Sequence, residues 1–461
     1  MRADRARSRE IDDGLTRIRE ELQIPGAFPA EVEQAALDAI TRGPGAEHVD
    51  RTDLAFVTLD PADATDLDQA LCLERSGDDL VLRYAIADVG WFVQHGDALD
   101  REAWRRGATM YLPGNKAPLY PMTLSEGAAS LLPDGPRPAV VFVVRLEPSG
   151  EARLDGVERA IVRSRAKLAY DDVGAADLPA EMPEFARRMA VADARRGAAR
   201  LDAPEQEVVR ANGGYLLTYR PRVAAEDHNA ALSLATNLAV ARALHEAGTG
   251  LFRVMDEPDE RQVRRLRLTA RAMGIDWPAA STLAAFERTL RSDDPGHAAM
   301  ILAVRRAGGG ARYVPYEVDV MPWHAALAAT YSHATAPLRR LADRYVVLAA
   351  LAVANGRPVP DEVQAAFGAL PETMQRSDAL GNRLDRLVVD LVEAVVMRGH
   401  EGRTFDAVVT DVDDRGARIQ LCDLAIVARV NEERVEPGDR LRVRLVEASP
   451  ERRTVRFERV A

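Results

Sequence analysis

Only two cysteines, Cys72 and Cys422, occur in 461 residues, too few for a disulfide framework or a thiolate zinc site. A metal held by this chain must therefore sit on oxygen donors. Lysine is equally scarce: of 61 basic residues, only Lys116 and Lys167 are not arginine. Arginine suits two-point contacts to phosphate, although a GC-rich genome produces the same bias. No run of about 18 apolar residues occurs, which argues against a membrane span. The charge-dense opening from Met1 to Glu10 has no apolar run behind it, which argues against a secretory signal. A cytoplasmic protein is expected, with no membrane partner. Internal repeats and low-complexity tracts are also missing.

What remains has the composition of a globular protein, 47% hydrophobic and 29% charged, with length for about two to four domains and a large core. A net charge of -11 argues against a surface coated throughout by nucleic acid, but not against a basic channel in an acidic shell. Ile11, Leu15, Ile18 and Leu22 fall at helical spacing, as do Val32, Ala36, Leu37 and Ile40 after a break at 24–29. This predicts two short helices, either a helix-turn-helix nucleic-acid module or a pair packed on the main body. Strands are expected at 54–60, 69–75, 80–88, 138–146 and 153–163, with a helix capped by Asp97 and stopped by Gly107. From about 183 to 355 the pattern is mainly helical, including 230–247 and 336–354. Strands early and helices late, without regular alternation, predict an α+β catalytic body. Five short strands near 404–411, 417–422, 425–431, 440–446 and 453–458 predict a small OB β-barrel. The expected division is 1–48, 49–398 and 399–461.

Two constellations carry chemistry. Asp60, Asp63, Asp66 and Asp68 crowd into nine positions between the apolar runs 54–59 and 70–73. Bound divalent cations commonly offset such repulsion, the alternative being a solvated acidic turn. In the stretch 331–343, Thr335 is an expected N-cap and Pro337 suits a first turn, placing Arg339 and Arg340 at or near a helix start. Two cations against the helix dipole suggest a phosphate site, the alternative being an ion pair to Asp343. Carboxylate-held metal plus arginine describes phosphodiester hydrolysis.

The aspartate stretch resembles the TIDxxDAxDxDDA signature of the ribonuclease II / ribonuclease R family, and the arginine stretch resembles its YTHFTSPIRRYAD. Ala85-Ile86-Ala87-Asp88-Val89 resembles the family's IADV element, Arg106 to Pro113 its RGTSVYLP element, and Arg195-Arg196-Gly197-Ala198 with Pro204-Glu205 its RxxGA…PE region. The last 60 or so residues are similar to its S-one-type OB domain. The resemblance implies an RNB-type catalytic domain and magnesium-dependent removal of nucleoside 5′-monophosphates from the 3′ end of single-stranded RNA by a monomer, with one or two ions and manganese as a substitute. It implies Asp60, Asp66 and Asp68 as metal ligands, Asp68 and Arg339 as catalytic residues, and Tyr111 as the clamp on the terminal nucleotide. Asp63 falls outside that core. Arg340 is open between phosphate contact and bracing the helix.

Departures accompany the matches. Gln69 stands where the family motif has a fourth aspartate and becomes a weaker amide ligand. Ala231 stands where an acidic residue is expected, with Glu226 or Asp227 as substitutes if the helix starts differently. Phe405, Arg415 and Arg418 are the expected RNA contacts of the barrel, with burial in the barrel core the stronger expectation for Phe405 taken alone. His324 and His333 are expected to be structural. Two other readings follow: a catalytically weakened RNA-binding or regulatory protein of the same fold, and a metal-dependent phosphatase or nuclease for small nucleotides or DNA.

Overall fold

The computed structural model describes residues 2–174, 176–198, 206–211, 214–219, 223–291, 294–413, 416–432 and 434–460. Alternate residues along Asp79–Ala87 and Arg137–Leu146 point to opposite faces, and both faces are buried. Leu80, Leu82, Tyr84 and Ile86 join Val140, Phe142 and Val144 in the principal core. Ala85, Ala139 and Val141 enter a smaller core with Phe56 and Leu67 on the other side. These strands sit inside a seven-stranded sheet ordered Val49–Asp50, Ala152–Val162, Arg137–Leu146, Asp79–Ala87, Gln69–Ser76, Phe56–Asp60, Ser164–Ala169. The four inner pairings are antiparallel and the two outer ones parallel. Helices Ala224–Glu246 and Leu341–Ala354 contribute Leu232, Ala235, Val240, Leu341 and Val346 to the principal core.

The helix Ala98–Arg106 follows the expected punctuation, with Asp97 accepting from the Asp100 amide and Gly107 closing it. Other elements differ from expectation. The mainly helical region contains a strand pair, Leu251–Met255 with Ala311–Pro315, and a second pair joins Gln206–Ala211 to Gly214–Tyr219. The helix expected from 336 begins at Leu341 with Arg340 at its N-cap, so Thr335 is not the cap and both arginines precede the helix. Asp343 explains this correction: its carboxylate accepts from the Ala336 amide at 2.8 Å and from the Arg340 guanidinium, tying the preceding residues into a loop.

The first helix, Arg2–Glu21, lays Ile11, Leu15 and Ile18, with Leu22 just beyond its end, into a cluster with Leu384, Leu391, Val392 and Val395 of the long helix Asp361–Met397. The second, Ala30–Thr41, places Val32, Ala36 and Ala39 in the principal core. Both helices of this segment thus pack on the body. Beyond the long helix, a closed five-stranded barrel runs in the order Thr404–Asp413, Gly416–Leu421, Val427–Val430, Thr454–Arg459, Arg440–Ser449. The fold is thus α+β with a terminal OB-like barrel. No helix among the described residues is long and apolar enough to cross a membrane.

Candidate active site

Asp60 ends the strand Phe56–Asp60, and Asp68 directly precedes its antiparallel neighbour Gln69–Ser76. The connecting loop is pinned from inside. Leu67 is fully buried, its amide donates to Ser130 Oγ at 2.9 Å, and that hydroxyl donates to the Thr65 carbonyl at 2.7 Å. This fixing directs acidic side chains toward the loop that carries Arg339.

Asp68 is almost wholly buried. One carboxylate oxygen accepts from the Leu338 amide at 2.7 Å and the other from Arg339 Nε at 2.6 Å. Burial pushes its carboxyl up to about 7 against the pull of Arg339. The remaining guanidinium nitrogens of Arg339 make no hydrogen bond to a described residue, and its side chain is 39% exposed, so the head group stays open to a ligand. The arginine loop is clamped by the 107–109 segment: Thr109 donates its amide to the Arg339 carbonyl, and Leu341 donates to Gly107.

Burial pushes the Asp60 carboxyl up to about 6, with Arg339 opposing and Asp66 adding to the rise. Its Oδ2 is buried without a hydrogen-bond partner, an orphaned acceptor of the kind a cation or proton completes. Asp66 is already engaged. A ribbon formed by Met110–Leu112 and Asn115–Ala117 sets Tyr111 and Lys116 opposite each other. Lys116 Nζ lies 2.8 Å from Asp66 Oδ1, and the Tyr111 hydroxyl donates to Asp66 Oδ2 at 3.0 Å. The Lys116 ammonium also lies 3.1 Å from Glu126 Oε1, while Glu126 Oε2 accepts from Thr65 Oγ1 at 2.6 Å.

The other candidates are placed less favourably. Gln69 does not offer a free amide: its Oε1 accepts from the Tyr84 hydroxyl at 2.5 Å and its Nε2 donates to the Thr335 carbonyl at 2.6 Å. Arg340 has its fork closed on both oxygens of Asp343, at 2.8 and 2.7 Å, the bracing arrangement. Asp63 is exposed, apart from the buried acids. Phe405 packs edge-on against Phe457, ring centroids 6.0 Å apart, beside the barrel core. Arg418 is half-buried and stands opposite Arg429 on the neighbouring strand. Arg415 and Pro204-Glu205 lie outside the described residues. Ala231 is buried, and Glu226 caps its own helix by accepting from the Val223 amide at 2.9 Å. His333 Nδ1 lies 2.7 Å from the Tyr313 hydroxyl, and burial drives this imidazole well below its usual range, as for a structural histidine.

Lys116, Glu126, Tyr84 and Asn237 were not anticipated as parts of this site. Asn237 holds the arginine loop, accepting from the Ala334 amide at 2.9 Å and donating to the Tyr331 hydroxyl at 3.1 Å. The two-residue turn Pro113-Gly114 joins the two strands of the ribbon and brings Lys116 opposite Tyr111. Among the described residues, no three His, Cys, Asp or Glu side chains converge as a ready metal centre. The donor set fits a hard cation at the orphaned Asp60 oxygen. It does not fit one at Gln69.

Residues 48–353 match the RNB domain family, and residues 403–460 match the RNase II-type exonuclease C-terminal S1 domain. The chain is similar to Ribonuclease R of Thermotoga maritima, 26% identical over 446 residues, covering 90% of this chain and 62% of that protein. It is 26% identical over 444 residues to Ribonuclease R of Escherichia coli, covering 88% of this chain and 54% of that protein. The chain thus spans roughly half to two thirds of the length of these curated relatives. Among solved structures, Mycoplasma genitalium RNase R in complex with ribose methylated single-stranded RNA superposes with TM-score 0.87 at 20% identity, covering 98% of this chain and 78% of that one. Yeast Ssd1, a pseudonuclease, superposes with TM-score 0.67 at 18% identity, covering 88% and 52%. At these identities the superpositions speak to fold.

Proposed function

The chain belongs to the RNB domain family, and from that premise we propose that it is an exoribonuclease removing nucleoside 5′-monophosphates stepwise from the 3′ end of single-stranded RNA. The observation that carries this reading is the Asp68–Arg339 contact at 2.6 Å beside the unpartnered Asp60 oxygen. In this reading Asp60, Asp66 and Asp68 hold magnesium or manganese, the Asp66 and Asp68 oxygens through the lone pairs left by their hydrogen bonds, and Gln69, a neutral amide held by Tyr84 and the Thr335 carbonyl, stays outside the ligand set. The ion, when bound, supplies an activated water and neutralises phosphate charge. Asp68 orients Arg339 through Nε, which leaves the outer guanidinium nitrogens to meet the non-bridging oxygens as charge develops on them. Tyr111 keeps its hydroxyl on Asp66 while its half-exposed ring offers a face to the terminal base. The barrel, docked on the long helix through Glu393 and the Val427 amide at 2.8 Å, guides RNA upstream of the cut.

A second reading, an RNA-binding or regulatory protein of the same fold, is favoured by the engaged oxygens of Asp66 and the neutral Gln69. The deciding experiment incubates 5′-labelled single-stranded RNA with the full chain, in magnesium or in chelator. Stepwise shortening only in magnesium is expected. Binding without shortening would favour the second reading, and internal cuts would rule out exonucleolytic action.

A further inference from the structure

We propose that Lys116 is a built-in cation of the active site, replacing part of the charge that a second divalent ion would bring, so that the site takes one metal ion. The inference rests on the nuclease reading above and deepens it.

The geometry is that of a bridging cation. Lys116 Nζ is within 2.8 Å of Asp66 Oδ1 and 3.1 Å of Glu126 Oε1, carboxylates from separate segments that otherwise would repel each other. The three side chains are 20%, 9% and 14% exposed, so water screens them weakly. The cross-strand pairing with Tyr111 fixes the lysine backbone, while Tyr111 takes the other oxygen of Asp66. The residue type is informative too. In a chain whose other basic side chains, Lys167 apart, are all arginine, the place between these two carboxylates is held by a compact ammonium.

Charge balance leads to the same place. Around the bridge itself, Asp66 and Glu126 contribute two negative charges when ionised and Lys116 one positive charge. Gln69, directly after Asp68, adds none. Without the Lys116 ammonium, both Asp66 Oδ1 and Glu126 Oε1 lose their cation and become donors for a second divalent ion.

The test is manganese stoichiometry, read by electron paramagnetic resonance of free Mn2+ titrated with the full chain and no RNA. Wild type is expected to bind one ion per chain and Lys116→Met two, a doubling. Lys116→Arg, which keeps the charge, is expected to stay at one, and thermal melting of each variant establishes that it is folded. Equal, non-zero stoichiometry in wild type and Lys116→Met would overturn the role of Lys116 while leaving the metal-assisted reading intact. Two ions in wild type would show that metal displaces the lysine and would also overturn it. No binding in any variant would overturn both.

Discussion

Asp68 combines two demands that pull in opposite directions. Its burial penalises charge, yet the Leu338 amide and Arg339 guanidinium both require an acceptor. Asp68→Asn keeps one carbonyl acceptor and removes the charge that orients Arg339. Turnover of labelled RNA is expected to fall by about 10²–10³-fold, with RNA affinity by filter binding within about threefold, since few phosphate contacts change. Near-normal turnover would remove Asp68 from the mechanism. Glu287 offers a pH-dependent case away from the site. Burial beside Phe286 pushes its carboxyl up to about 7, with Arg288 opposing. The folded protein therefore binds more protons than the unfolded chain between the ordinary glutamate value and about 7, and stability is lost as pH rises through that window. Glu287→Gln should flatten this slope and raise stability at pH 8 by roughly 1–3 kcal/mol. Denaturant midpoints at pH 5 and pH 8 check it, and a wild-type midpoint that does not fall between them would refute the assignment. At this scale the sequence was legible where residue types cluster, as for Asp60, Asp66, Asp68 and Arg339, and for Tyr111 only through the motif resemblance; in the structure Tyr111 meets Asp66 and Arg339 meets Asp68. It was not legible for Lys116 or for the Tyr84 hydroxyl on Gln69, because neither contact leaves a trace in local spacing.

Elements declare themselves where punctuation is local. Asp97 and Gly107 delimit the helix Ala98–Arg106 as expected, and the sheet and barrel strands lie within about three residues of their expected limits, since alternation is a short-range pattern. The arginine helix starts later than expected because Asp343, seven residues beyond Ala336, captures that amide in competition with helical pairing. Edge strands such as Ser164–Ala169 and the ribbon around Tyr111 were missed because short strands are defined by their partners. Gly107 joins the helix stop to the active site. It sits at φ 73°, and a Cβ there would lie 1.9 Å from Ser377 Oγ of the long helix. Its carbonyl accepts the Leu341 amide at the base of the arginine loop. Gly107→Ala is expected to cost about 1–3 kcal/mol of stability and to lower turnover as well. Thermal melting with activity would show it, and an unchanged melting point would mean the backbone relaxes freely there.

On the scale of the whole molecule, the long helix Asp361–Met397 gathers the parts. It touches the arginine clamp through Ser377, the first helix through Leu391, and the barrel through Glu393. Sequence reading identified the barrel and the body but not this shared support, since a helix with Pro371 inside it carries a mixed signal. The barrel's part in RNA binding is open to a salt measurement. Arg418 lies close enough to Asp390 of the long helix to act on its carboxyl. If Arg418 also meets phosphate, Arg418→Ala reduces the slope of log affinity against log salt by about 0.7. An unchanged slope assigns Arg418 to Asp390 alone. The meeting of the first helix with the long one has a further consequence in time. Gly14 lies so close to Leu391 that a Cβ would come within 2.5 Å of its Cδ2, although the two are 377 positions apart. At on the order of 5–20 residues per second on a ribosome, the apolar face of Ile11, Leu15 and Ile18 waits roughly 20–75 s for its partner to be made. Throughout that interval the face lacks the partner it packs against in the folded chain, and apolar surface exposed in this way is prone to association.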